Sequence, residues 1–172
     1  MKGGTVVWIT GLPGSGKTTL AAEVERVLRG RSASLVRLDG DVFREVMGND
    51  LGYSREDRLR NAWRVARMCK LLSDQGLDVV CATVSLFREI HEWNRASFAR
   101  YVEVYLRVSR ETLVARDPKG LMRRALAGEV AELVGVDQTF DEPAAPDLVI
   151  SNDDGAEAPA SAAARIVALV HR

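Results

Sequence analysis

Apolar, β-rich runs alternate with amphipathic stretches along this chain of 172 residues. The runs lie at Thr5–Thr10, Leu35–Leu38, Leu77–Thr83, Tyr101–Val108 and Asp147–Ile150. They are nearly continuous rather than alternating, the pattern of strands buried on both faces of a parallel sheet. Helical spacing between them predicts helices over Lys17–Arg29, Asp41–Met47, Arg55–Gln75, Phe87–Ala99 and Arg110–Ala115, with a last helix around Ala160–Val170. Strand and helix in turn predict a βαβ series with right-handed crossovers, an open α/β sandwich. Arg55–Gln75 carries the clearest period: Leu59, Ala62, Trp63, Ala66, Cys69 and Leu72 recur at steps of three and four and form a core stripe. Ser54, with Asp57 three positions on, reads as its N-terminal cap, and Gly76 as its end.

Two segments do not fit a sheet layer. Residues 116–140 hold Arg116, Lys119, Arg123 and Arg124 among Gly120, Gly128 and Gly135. Such a basic, glycine-punctuated stretch after the fourth strand reads as a lid over phosphates, the competing reading being a solvated face. Residues 151–159 read as a loop.

The glycines after the first strand carry the chemistry. Gly11-Leu12-Pro13-Gly14-Ser15-Gly16-Lys17-Thr18 matches the phosphate-binding pattern G-x-x-x-x-G-K-S/T, with a strand before it and a helix after it. Glycines let backbone N–H groups turn inward around an anion. The helix start adds unpaired donors and positive dipole. Lys17 suits the β- and γ-phosphates, and the Thr18 hydroxyl suits Mg²⁺. At the end of the second strand, taken to lie beside the first, stand Asp39 and Asp41. One carboxylate can serve the metal and the other an attacking hydroxyl; alternatively both only shape an Asx-type turn.

Composition narrows the classes. Lys+Arg and Asp+Glu number 24 each, which argues against a nucleic-acid or anionic-membrane surface. Hydrophobic residues make up 47% of the chain, enough for one ordinary globular domain over 1–172. The two cysteines, Cys69 and Cys81, fall in core-like positions rather than in a disulfide or metal pattern. His91 and His171 lack metal-spaced partners and read as packed or exposed. No segment has transmembrane length, and no signal-peptide core precedes the glycine loop; a cytoplasmic, reducing setting is expected.

Beyond the loop, the chain resembles the adenylylsulfate kinase (APS kinase) family. The resemblance is carried by Asp39-Gly40-Asp41 with Arg44, by Asp50-Leu51-Gly52-Tyr53-Ser54, and by Asp57-Arg58 with Asn61. It continues in Arg116-Asp117-Pro118-Lys119-Gly120-Leu121, Gly135-Val136-Asp137, Asp141-Glu142-Pro143 and Pro146-Asp147-Leu148. It implies a P-loop NTPase-type three-layer sandwich, a five-stranded parallel sheet with a lid, and a homodimer. It also implies transfer of the γ-phosphoryl of MgATP to the 3′-hydroxyl of adenosine 5′-phosphosulfate (APS). By position, Gly11, Pro13, Gly14, Ser15, Gly16, Lys17, Thr18 and Thr19 would hold ATP, with Arg116 and Lys119 from the lid. Thr18 and Asp39 would serve the metal. Lys17, Asp39 and Asp41 would be catalytic, Asp41 being favoured as base. Arg44, Tyr53, Arg58, Asn61, Ser85 and Leu133 would form the acceptor site; without the family pattern, Arg58 and Asn61 read as exposed helix surface, and Ser85 as a turn or cap residue.

The chain also departs from the family. Val84-Ser85-Leu86-Phe87-Arg88 stands where Ile-Ser-Pro-Tyr-Arg is usual. Leu133 stands where a phenylalanine would complete, with Tyr53, an aromatic sandwich for the acceptor base. A lost stacking partner weakens base binding by ~1–3 kcal/mol. These departures resemble a divergent branch acting on other nucleotide-activated groups, such as cytidine diphosphoramidate. Outside kinase chemistry, the rival readings are a nucleotide-gated regulatory module and a plain NTPase coupled to motion.

Overall fold

A computed structural model describes residues 3–30, 34–117, 120–129, 131–153 and 157–170. Lys119 and His171 lie outside the described residues. In chain order the elements are β1 (Thr5–Thr10), α1 (Lys17–Arg29), β2 (Leu35–Asp39), α2 (Gly40–Val46), α3 (Arg55–Asp74), β3 (Asp78–Thr83), α4 (Arg88–Ser97), β4 (Arg100–Arg107), α5 (Arg110–Arg116), α6 (Leu121–Leu126), β5 (Leu148–Ser151) and α7 (Pro159–Val170). The five strands pair in parallel in the order β2-β3-β1-β4-β5.

The sheet's two faces bury separate cores, because successive strand side chains point opposite ways. Val7 and Ile9 of β1 face Leu20, Ala21 and Val24 of α1 and Ala163, Ile166 and Val167 of α7. Val6 and Trp8 face Ala62, Val65, Ala66 and Cys69 of α3 and Ile90 of α4. The continuous apolar runs are therefore the signature of a sheet covered on both sides. Cys69 and Cys81 are both buried as free thiols in this second core, and burial with the adjacent Cys69 raises the Cys81 thiol. Trp63 is half-buried and meets Trp93 edge-on at 5.5 Å.

Several expected boundaries move by a residue, each with a cause. β3 begins at Asp78 rather than Leu77: the Leu77 N–H returns to Leu72 at the helix exit, and the Asp78 carboxylate accepts from Thr5 N–H at 2.8 Å. β5 begins after Asp147, whose carboxylate accepts from Glu103 N–H at 2.7 Å. One expectation of topology fails. β2 does not lie beside β1; β3 sits between them, since strand order is set by how crossovers pack, not by chain order.

Two polar contacts bear on the helices. His91 is packed, as expected, with Nδ1 2.7 Å from Glu103 Oε1, and Glu103 also receives Tyr101 Oη at 3.1 Å. Ser54 Oγ accepts from Asp57 N–H at 3.1 Å and donates to Asp57 Oδ2 at 3.0 Å, the capping arrangement read from the sequence. Ser54→Ala is expected to lower stability by about 1 kcal/mol in denaturant unfolding; an unchanged midpoint would show that the cap contributes nothing.

Candidate active site

Parallel strands end together, so the loops leaving β1, β2 and β3 open onto one edge of the sheet, where α/β proteins bind ligands. The glycine loop leaves β1 there. Gly14 and Gly16 adopt φ of 79° and 95°, a left-handed backbone that favours glycine. Gly16 is also the N-cap of α1, with no side chain closing that end. The first helical hydrogen bond is Leu20 N–H to Gly16 at 3.1 Å, so the first-turn donors of α1 remain for an anion. Lys17 Nζ donates to the Leu12 carbonyl at 2.8 Å and lies 3.4 Å from Ser15 Oγ. Burial drops its ammonium from 10.5 to about 8, with Asp41 and Asp39 raising it in part.

The acidic residues stand opposite. Thr18 Oγ1 donates to Asp39 Oδ2 at 2.7 Å, although a whole strand separates β1 from β2. Asp39 Oδ1 accepts the Asp41 N–H at 3.0 Å and caps α2. The turn reading of Asp39 is thus correct as far as it goes, and the same carboxylate also reaches Thr18. Asp41 is different. It lines the cleft, and its carboxylate has no hydrogen-bond partner among the described residues.

A cavity of about 640 Å³ joins these groups to the acceptor side. Pro13, Gly14, Gly16, Lys17, Thr18, Thr19, Asp39, Asp41, Arg44, Tyr53, Arg58, Asn61 and Leu133 all line it. Arg44 Nη1 donates to the carbonyls of Leu51 and Gly52 at 2.8 and 2.9 Å. Arg58 donates to Tyr53 O at 2.9 Å and to Glu132 O at 2.8 Å. Burial and the charge of Arg44 lower the Arg58 guanidinium. Both guanidiniums lie over the Tyr53 ring, 4.8 and 5.2 Å from its centroid. Tyr53 therefore presents its ring to cations rather than standing free across from Leu133. Leu133 is buried with Leu113 and Met122 in a small core under the lid segment.

The lid segment consists of α6 and a turn closed by the Val134–Gln138 bridge. Arg58 reaches it at Glu132, and Gln138 Nε2 reaches back to the Tyr53 carbonyl at 3.0 Å.

Four expected site residues do not line the cavity itself. Gly11 stands behind the loop, where a Cβ would come within 2.5 Å of the Leu106 carbonyl. Ser15 is fully buried beneath the cradle, and Ser85 is fully buried with Oγ unpartnered; Ser85 follows Val84, which does line the cleft, and faces the interior instead. Arg116 ends α5 and donates to the Asn152 carbonyl at 2.6 Å, in the loop after β5. Residues that the sequence reading passed over also line the cleft: Glu45, Asn49, Asp117 and Met122. Asn152 lines a second cavity of about 130 Å³ that shares Gly16 and Thr19 with the first. A polar residue at the carboxyl end of a parallel strand is the signal that points to Asn152.

Among the described residues, no group of three or more His, Cys, Asp or Glu is placed to hold a metal, and no helix is long and apolar enough to cross a membrane.

Comparison with known proteins agrees with this geometry. The family model for adenylylsulphate kinase matches residues 3–151. A cytidine diphosphoramidate kinase of Campylobacter jejuni is 42% identical over 147 residues, covering 86% of this chain and 85% of that protein. An adenylyl-sulfate kinase of Geotalea uraniireducens is also 42% identical over 147 residues, covering 84% and 71%. The Mycobacterium tuberculosis APS kinase, solved in complex with AMPPNP and APS, superposes with a TM-score of 0.90 at 34% identity over all of both chains. A buried P-loop lysine, a threonine–aspartate pair and two cleft arginines thus coincide with a match along most of the sequence, and the chain belongs to the adenylylsulphate kinase family.

Proposed function

We propose that this kinase transfers the γ-phosphoryl of MgATP to the 3′-hydroxyl of APS. The observation that carries the reading is the single cleft in which the Thr18–Asp39 pair, the unpartnered Asp41 and two arginines meet. Arg44 and Arg58 hold carbonyl oxygens, and neither has a carboxylate partner among the described residues. Their positive charge is left for an anionic acceptor, and a guanidinium fork suits the oxygen pair of a sulfate or phosphate.

The chain's own groups account for the chemistry through position and charge. The P-loop amides and Lys17 take the β- and γ-phosphates. Thr18 and Asp39 offer hard oxygen donors already in contact, which fit Mg²⁺ bound through few protein ligands with water and phosphate completing its shell. A magnesium ion held by Thr18 and Asp39 would supply charge neutralisation on the phosphates. Asn61 and Arg58, one turn apart on α3, hold the acceptor with Arg44. The acceptor oxygen attacks the γ-phosphorus in line, the bond to the β-phosphate oxygen breaks, ADP leaves, and Asp41 accepts the hydroxyl proton. The second cavity, bounded by Leu20, Leu106, Ile150 and Pro159, suits the flat apolar base of ATP, because it opens from the cradle at Gly16 and Thr19.

A second reading has its own support. Leu133 offers no aromatic face, and a cytidine diphosphoramidate kinase is as similar as an APS kinase. A cytidine-linked acceptor carrying an amidate is therefore the alternative.

The deciding experiment measures ADP release with APS, with a cytidine diphosphate amidate and with no acceptor, followed by mass analysis of the product. Acceptor-stimulated release with APS and a gain of one phosphoryl on it are expected; equal release in all three would leave only an NTPase. Lys17→Ala is expected to cut turnover by at least about a thousandfold while retaining the folded far-UV signature, and an active variant would remove the cradle assignment. Leu133→Phe is expected to lower the KM for APS roughly fivefold or more by adding an aromatic face to the cleft; an unchanged or raised KM would count against an adenine at that wall. Lys17 is charged below about 8 and neutral above it in the free protein. Nucleotide binding favours the charged form, so AMPPNP affinity is expected to fall by up to about tenfold per pH unit above that point. Calorimetry from neutral to alkaline pH checks this, and a flat profile would exclude Lys17 as the titrating group.

A further inference from the structure

Asn152 directly follows β5 and ties three segments together. Its backbone N–H donates to the Arg107 carbonyl at the end of β4, 2.9 Å away. Its carbonyl accepts from Arg116 at the end of α5, 2.6 Å away. Its side-chain Nδ2 donates to the Ser15 carbonyl inside the glycine loop, 2.8 Å away. The direction of the carboxamide follows from that partner, since a carbonyl oxygen only accepts.

The Ser15 carbonyl and the Gly16 N–H belong to one peptide plane. The peptide is trans, so the two groups point in opposite directions. Holding the oxygen against Asn152 therefore aims the Gly16 N–H away from Asn152. Gly16 borders the main cleft, and its N–H has no backbone acceptor among the described residues. Asn152 also approaches so closely that a Cβ on Gly16 would lie 2.8 Å from Nδ2. The third glycine of the loop is needed for this contact as well as for its φ of 95°.

We propose that Asn152 is the positioning residue of the phosphate cradle: its side-chain amide locks the Ser15–Gly16 peptide so that the Gly16 N–H faces the incoming polyphosphate. Released from this hold, the peptide can rotate and turn a carbonyl oxygen, which repels phosphate, toward the anion. Locking it in advance removes an ordering cost from nucleotide binding. The inference rests on the reading that the loop takes a polyphosphate.

The test compares Asn152→Leu, which keeps the volume and loses the donor, with wild-type protein. Asn152→Ser serves as a second variant that also loses this reach. Binding of AMPPNP and of inorganic tripolyphosphate, both with magnesium, is measured by calorimetry, and thermal unfolding is measured without ligand. Both probes are expected to bind about tenfold more weakly, by matching factors. In turnover, the KM for ATP rises by the same factor while the KM for the acceptor stays unchanged. Tripolyphosphate bound by the folded variants as tightly as by wild type would overturn the proposal, as would weakening confined to AMPPNP, which would assign Asn152 to the base. The binding measurements need no acceptor, so they separate the two ideas. Failure of wild-type protein to bind either probe would overturn the nucleotide reading and this inference with it, whereas wild-type binding with indifferent variants would overturn this inference alone.

Discussion

A lysine ammonium held 9% exposed against a backbone carbonyl is the constraint around which the site is organised. Burial makes its charge unfavourable and pushes its ammonium down to about 8. The two aspartates across the cleft offset part of that penalty but do not contact it. An incoming polyphosphate is the group that can offset the rest, and the free amides of the loop and of the α1 start point to the same place. The same constraint explains the loop's rigid frame. Leu12 holds the lysine with its carbonyl while its side chain packs into the small lid cores, so lysine, loop and lid share one residue.

The acceptor side is arranged by cations that are already occupied, though not by anions. Arg44 and Arg58 each spend donors on backbone carbonyls, which orients them without neutralising them. Arg58 spans from the start of α3 to Glu132 in the lid, and Gln138 answers from the lid to Tyr53. The loop at Tyr53, the segment at 132–138 and the Arg58 guanidinium therefore form one hydrogen-bonded unit. A group that displaced Arg58 from Glu132 would alter one of the bonds that seat that segment.

Legibility in the sequence tracked distance along the chain. The cradle is eight consecutive residues, and each of its requirements is local: φ above zero at glycine, a helix start, a lysine one position in. The α3 cap and stripe are local too, and both appear where the spacing put them. Arg44, Arg58 and Asn61 are not legible from spacing; they were placed by resemblance, and the cleft then gathered them. Ser85 and Arg116 were placed by the same resemblance but are not among the residues lining the cleft. A serine at a strand end turned inward, and a basic residue near the lid turned to Asn152, because side-chain direction depends on neighbours far along the chain. Gln138 and Asn152 make their contacts across 85 and 137 positions; Gln138 leaves no local trace, and Asn152 only its place at a strand's carboxyl end.

The amino-acid order by itself determined the alternation of strand and helix, the burial of the sheet on both faces and the anion loop, because backbone sterics and hydrophobic period act over a few residues. The tertiary structure alone decided that β3 lies between the loop strand and the acidic strand, that Thr18 nonetheless reaches Asp39, and that the Asp41 carboxylate has no hydrogen-bond partner among the described residues. Those outcomes depend on how crossovers pack against a twisted sheet, a property of the whole assembly of helices and strands rather than of any stretch of it.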